Sequence, residues 1–308
     1  MTDWATFVVV REDGGFERYH RRYGAIDVDL DLLAGPDLAL SFARSHHDAG
    51  TGGTWGEDDW IQEGWCEAVA LIDLRRRVLL RGTVEGAATS QRLRPTVERV
   101  LRRAWPGWTL RWAHDGIADV RAHLGLDVEP VRDRWSPPFL SPVLGPGEDG
   151  ELAEDDPHVS VVTTAAGRCL LLDGIGRHPV TEGPALLDRL AGAPDRGSHH
   201  LRARSGLHLD PVARTLGWWL LGMEPQAAEM AGRWPGWRVR FWADLHQEHV
   251  RASLGRFAPP PVDPAAALAE LREAAHDHWS DWRHARNGED DRRAALAAID
   301  AACRAAAG

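Results

Sequence analysis

Hydrophobic and polar positions along the chain fall into two periodicities, and the same succession of them occurs twice. Residues Ala5 to Arg11 are β-branched and aromatic. They run into Glu12-Asp13-Gly14-Gly15 and resume in Phe16-Glu17-Arg18-Tyr19, which predicts a hairpin whose turn uses glycine for positive φ. Gly35-Pro36-Asp37 then opens an apolar-periodic segment through Phe42. This predicts a helix, because proline at the first helical position has no amide to waste. The stretch from Ala49 to Gly64 is rich in Gly, Asp and Trp and is expected to be a loop that packs or binds through Trp55 and Trp60. Glu67 to Asp73 and Val78 to Leu80 read as strands, and Leu93, Val97, Val100 and Leu101 keep helical spacing between Ser90 and Ala104. Trp105-Pro106-Gly107 stops that helix, Trp108 to Ala113 alternates as a strand, and Ile117 to Leu124 forms a last short helix.

The order returns in the second half. Trp105-Pro106-Gly107-Trp108-Thr109-Leu110-Arg111-Trp112-Ala113 matches Trp234-Pro235-Gly236-Trp237-Arg238-Val239-Arg240-Phe241-Trp242-Ala243, and Val120-Arg121-Ala122 to Gly125 matches Val250-Arg251-Ala252 to Gly255. Val159 to Thr163 with Cys169 to Leu172 repeats the hairpin, Gly183-Pro184 repeats Gly35-Pro36, and Leu209-Asp210 repeats Ile72-Asp73. The second copy leaves less room before its Trp-Pro-Gly-Trp turn, so its main helix must be shorter.

These landmarks predict an α+β protein, a tandem duplication of a hairpin-helix-strands-helix-strand-helix module with a mainly antiparallel sheet and helices on one face. The expected boundaries are 1–135 for the first module, 136–157 for a proline-rich acidic linker, 158–257 for the second module, and 258–308 for a C-terminal helical extension without counterpart.

Composition narrows the chemistry. The chain has no lysine, so all 36 basic residues are arginine, and Walker-type and Schiff-base lysines are excluded. The net charge of −10, with arginines interleaved among acidic residues, argues against a nucleic-acid partner. No apolar run approaches a membrane span and the first residues lack a secretory pattern, so no membrane association and a cytoplasmic location are expected. Cys66, Cys169 and Cys303 are too few and too far apart for a disulfide framework or a CxxC metal site.

Candidate site residues are weighed against structural roles. Trp108, Trp112, Trp237 and Trp242, beside Arg111 and Arg240, offer aromatic surface and donor forks of the kind found at protein interfaces, although large aromatics mostly supply core area. Trp55 and Trp60 are the alternative surface. His246 and His249, three apart on a helix, are the weak metal candidates, lacking a well-placed third ligand. Cys66 beside Glu67 lacks a nucleophile signature. The balance predicts a non-enzymatic cytoplasmic partner-binding protein without cofactor, in the manner of an immunity or regulatory protein. The alternative is a small-molecule binder or hydrolase with its site between the modules, using His246, His249 and Glu67.

Overall fold

The structure is a computed structural model that describes residues 4–22, 24–25, 28–45, 47–48, 60–133, 139–145, 158–174, 176–280 and 289–307. It divides into two compact units, residues 1–133 with 263–308, and residues 134–262.

In the first unit the strands are β1 (Trp4–Val10), β2 (Phe16–Arg21), the two-residue β3 (His47–Asp48), β4 (Cys66–Asp73), β5 (Val78–Thr83) and β6 (Thr109–Trp112), in the spatial order β3-β2-β1-β4-β5-β6. In the second they are β7 (Val159–Thr164), β8 (Cys169–Asp173), β9 (Ser205–Asp210), β10 (Thr215–Leu220) and β11 (Arg238–Phe241), in the order β11-β10-β9-β7-β8. Leaving out β3, the two sheets have the same order and the same pairing sense. Each has two antiparallel hairpins, joined in parallel at the centre, with a parallel strand at the outer edge. The duplicated α+β module is therefore present strand for strand.

Two details depart from the expected module. The sheets are mixed, because the helical segment after each first hairpin and the one before each last strand are crossovers that bring their strands back in parallel. Helices also cover both faces. In the first unit α1 (Val28–Leu32), α2 (Pro36–Arg44) and α3 (Arg94–Ala104) share one face, and α4 (Ile117–Leu124) takes the other, where His123 meets Asp73 at 2.8 Å. In the second unit α5 (Ala185–Ala191) and the 3-10 turns Pro179–Glu182 and Ala227–Arg233 lie on one face, with α6 (His246–Ala252) opposite. Strands covered on both sides bury nearly every residue, as β4 and β5 do, so clean alternation fades from their sequences.

The repeated Trp-Pro-Gly-Trp turn is the same clasp in both copies. The indole N–H of Trp105 donates to the Leu32 carbonyl at 2.8 Å, and that of Trp234 donates to the Val180 carbonyl at 2.8 Å. Each acceptor lies three residues before the glycine that opens the next helix, Gly35 or Gly183. Those glycines have φ of +87° and +65°, and a Cβ there would sit 3.1 Å from the Ala104 carbonyl oxygen and 2.5 Å from that of Arg233. Only glycine accepts both the angle and the approach. Trp108 and Trp237 then stand edge-on to the buried tryptophans with ring centroids 4.9 Å apart in each copy.

The C-terminal tail forms α7 (Pro264–Ser280) and α8 (Glu289–Ala307) and joins the first unit. His278 meets Asp31 at 2.7 Å, Trp279 donates to the Leu30 carbonyl at 3.3 Å, and Arg92 pairs with Glu270. Part of the expected linker, residues 139–145, runs beside β8 through a bridge between Val143 and Leu172. No helix among the described residues is long and apolar enough to cross a membrane.

Candidate functional site

Matching the two sheets strand for strand shows where the second copy departs chemically from the first. On the α4 face of the first sheet, one row runs Val8, Leu71, Leu80, Arg111 across β1, β4, β5 and β6. The equivalent row on the α6 face of the second sheet runs Thr163, His208, Gly217, Arg240 across β7, β9, β10 and β11. Three apolar residues become a hydroxyl, an imidazole and a glycine, and the arginine is kept.

The polar residues form a chain whose direction is fixed from its buried end. The Trp219 indole N–H donates to His249 Nδ1 at 3.0 Å, and an indole can only donate. His249 must therefore carry its proton on Nε2 and give it to Thr163 Oγ1 at 2.7 Å. Thr163 Oγ1 has no other acceptor among the described residues, so its own proton goes to His208 Nδ1 at 2.8 Å. His208 is left neutral with its proton on Nε2, and among the described residues that N–H has no protein partner.

Glycines make this possible. A Cβ at Gly206 would come within 2.5 Å of His249 Nδ1 and 2.6 Å of Trp219 Nε1, and a Cβ at Gly217 would run into the Trp242 ring. Trp242 thus lies flat on the sheet over Gly217, between His208 and Arg240 in the strand order. Burial pushes the His249 imidazole down to about 3, helped by the neighbouring histidines, and pushes His246 and His208 below their ordinary values. His178, also buried, is pushed down to about 3. It accepts from the Val180 amide and donates to the Trp219 carbonyl at 3.2 Å, so it too is held neutral.

The other candidates take varied places. Trp108 and Trp237 are half-buried at the corners. Trp112 and Arg111 are neighbours on β6 and therefore face opposite sides of the sheet. Trp112 lies between the guanidinium groups of Arg81 at 4.8 Å and Arg94 at 4.1 Å, over a buried ionic cluster in which Arg81 meets Glu98 at 2.6 Å and Asp29 at 3.8 Å. Register pairs Trp112 with Arg81 and Phe241 with Trp218, so the counterpart of Trp112 is Phe241. Trp242 occupies the place of Ala113 in the ladder. The one-residue offset comes from an extra residue after the strand, at Ala243, whose φ is +53°.

Trp60 lies between Arg18 at 4.8 Å and Arg121 at 4.9 Å, and Trp55 falls outside the described residues. His246 rests against the Trp219 ring, 5.7 Å between centroids, and both ring nitrogens of His249 are engaged. Among the described residues no group of three His, Cys, Asp or Glu side chains has metal-binding geometry. The Cys66 thiol is buried against Thr6 and pushed up to about 12 by desolvation, far from a thiolate nucleophile.

Thr163, His208, Gly217 and Trp219 were not among the candidates from sequence. Their signal was period-two placement of Gly, His and Trp in Gly206-Leu207-His208-Leu209 and Leu216-Gly217-Trp218-Trp219, strands otherwise filled with large apolar residues. Comparison of the chain with protein-family models, with curated proteins and with solved structures finds no match.

Proposed function

We propose that the chain is a non-enzymatic partner-binding protein that engages a protein through its two outer sheet edges. The observation that carries this is the pair Arg111 and Arg240. They occupy the same row position on the edge strands β6 and β11, both are exposed, and neither makes a salt bridge among the described residues. In a chain of net charge −10, two exposed guanidinium groups at matching sites, Arg240 without a carboxylate neighbour among the described residues and Arg111 near only Asp119 without a direct ion pair, do not follow from an excess of basic residues. The same edge strands carry partly exposed aromatics on the other side of the sheet, Trp112 on β6 and the 40%-exposed Phe241 on β11, with Trp108 and Trp237 at the corners before them. Arginine and tryptophan are enriched among the residues that dominate binding energy at protein interfaces, and open sheet edges invite pairing unless used or protected. A cytoplasmic location belongs to the same proposal, supported by three buried cysteines that form no disulfide.

The test is affinity capture from the source cell lysate with the intact chain and with the double substitution Arg111→Asp, Arg240→Asp. A stoichiometric protein recovered by the first and lost with the second supports the proposal. Recovery of none, or of one indifferent to the substitutions, removes it.

A further inference from the structure

We propose that the α6 face of the second sheet is a binding site for a small aromatic carboxylate, held between His208 Nε2–H and the Arg240 guanidinium with its ring against Trp242. The inference does not depend on the partner proposal, although the two share Arg240.

Three independent features converge on that ligand chemistry. The first is a donor set for oxygen. The chain that ends at an indole sets His208 with its N–H outward, since the opposite tautomer would leave the Thr163 hydroxyl proton without an acceptor among the described residues. Arg240 adds a planar fork of donors suited to a carboxylate, and no carboxylate of the described protein occupies it. Asp210, on the same face of β9, has Oδ1 accepting from the amides of Val212 and Ala213, and its charge acts on His208 against the desolvation there, so the ligand's carboxylate must draw its charge partner from Arg240.

The second feature is a platform. Trp242 is half-buried with its ring pressed on Gly217, the residue that separates His208 from Arg240 in the row. Two strand spacings put the His208 and Arg240 backbones roughly 10 Å apart.

The third is the first copy, which serves as an internal control. Val8, Leu71 and Leu80 fill the same row, and Ala113 stands where Trp242 does. The fold is thus built without a threonine, histidine, glycine or tryptophan at these positions, and the second copy carries a buried hydroxyl and a half-buried imidazole in their place. A ligand site accounts for all four replacements together.

The test is titration of the intact protein with benzoate, acetate and benzyl alcohol, followed by histidine side-chain 15N resonances and by calorimetry. Benzoate is expected to bind saturably and to shift the His208 Nε2 resonance, with acetate and benzyl alcohol each weaker by about tenfold or more. Arg240→Gln on the surface and His208→Leu, the first copy's residue, should each weaken benzoate by about tenfold, whereas His208→Gln, which can still accept from Thr163 and donate outward, should stay within a few-fold. No saturable benzoate binding, benzyl alcohol binding as well as benzoate, or indifference to both weakening substitutions overturns the proposal. Since His208 lies two strands in from the edge, His208→Leu should leave partner capture intact, which separates failure here from failure of the partner proposal.

Discussion

The buried histidines of the second unit make its stability depend on pH in a way that can be worked out from the structure. An unfolded imidazole titrates near 6.5, whereas His178 and His249 are held down to about 3, chiefly by burial. Between those values the unfolded chain binds more protons than the folded one, so unfolding becomes easier as pH falls. The stabilisation is complete above about 6.5 and is lost progressively toward 3. At pH 5 each unfolded imidazole is about 1.5 units below its own pKa, which at about 1.36 kcal/mol per unit is roughly 2 kcal/mol per residue, or about 4 kcal/mol for the pair. That is a large fraction of the stability of an ordinary domain.

Other groups in the unit titrate over nearby ranges. Asp195 is lowered by the Cys169 and Gly197 amides, and Glu224 is raised by burial. The assay is therefore differential. Amide exchange in β7, β9 and β10 reports the opening free energy of the unit in the intact chain at pH 7.5 and pH 5, for the natural sequence and for His249→Asn and His178→Asn. Each substitution should reduce the pH-dependent loss by roughly 2 kcal/mol, whatever it does to stability at pH 7.5. Equal losses in all three proteins would refute the assignment of neutral, closed histidines.

Four further outcomes follow from the same geometry. Trp105→Phe and Trp234→Phe each leave a buried carbonyl without its donor and should cost about 1–3 kcal/mol in their own units by denaturation; very unequal costs would contradict the equivalence of the two clasps. Cys66 should react with a thiol reagent in the native protein orders of magnitude more slowly than in the unfolded chain, because its thiol is buried and raised to about 12. Asp29 is raised to about 6 by burial, so its contribution to the first unit is full below 3.8 and lost as pH rises through 6, a swing of about 3 kcal/mol that Asp29→Asn should remove from a pH series of denaturation curves. Arg132 binds Asp115 through both its Nη atoms, at 2.9 and 2.8 Å, and Glu63 at 2.9 Å, all three buried. Arg132→Met strands two carboxylates and should destabilise the first unit by about 3–5 kcal/mol in the same measurement.

Much of the architecture was legible because local signals and long-range roles coincided. Glycine-opened helices, glycine-closed turns and the Trp-Pro-Gly-Trp corner each need particular residue types at fixed offsets, and those offsets survive in both copies. What escaped depends on partners far away in sequence. Val28-Asp29-Leu30-Asp31-Leu32 alternates like a strand, yet forms one helical turn buried on every side, since Asp29 accepts from the Ala88 amide and Asp31 meets His278, 247 residues on. The correspondence of Trp112 with Phe241 was hidden by a single inserted residue, which aligned the tryptophans and misaligned the strands. His249 looked like half of a metal pair because its neighbour His246 is three residues away. Its real partners, Thr163 and Trp219, are 86 and 30 residues distant.

The two copies have diverged on opposite faces of one design. In the first, the charged cluster of Asp29, Arg81, Arg94 and Glu98 around Trp112 lies on the α3 side, where the second has Trp218 stacked on Phe241 at 4.2 Å. In the second, the histidine chain lies on the α6 side, where the first has Val8, Leu71 and Leu80. Each copy therefore demonstrates that the other's polar inclusion is dispensable to the fold. Burying such groups lowers stability unless every donor and acceptor is matched, and even a matched network does no better than well-packed hydrocarbon. Folding alone would let both inclusions drift back toward the apolar version already encoded in the same chain. Because the two inclusions lie one per copy and on different faces, substitution of one copy's residues by the other's is the cleanest way to test either proposal while keeping the sheet that carries it.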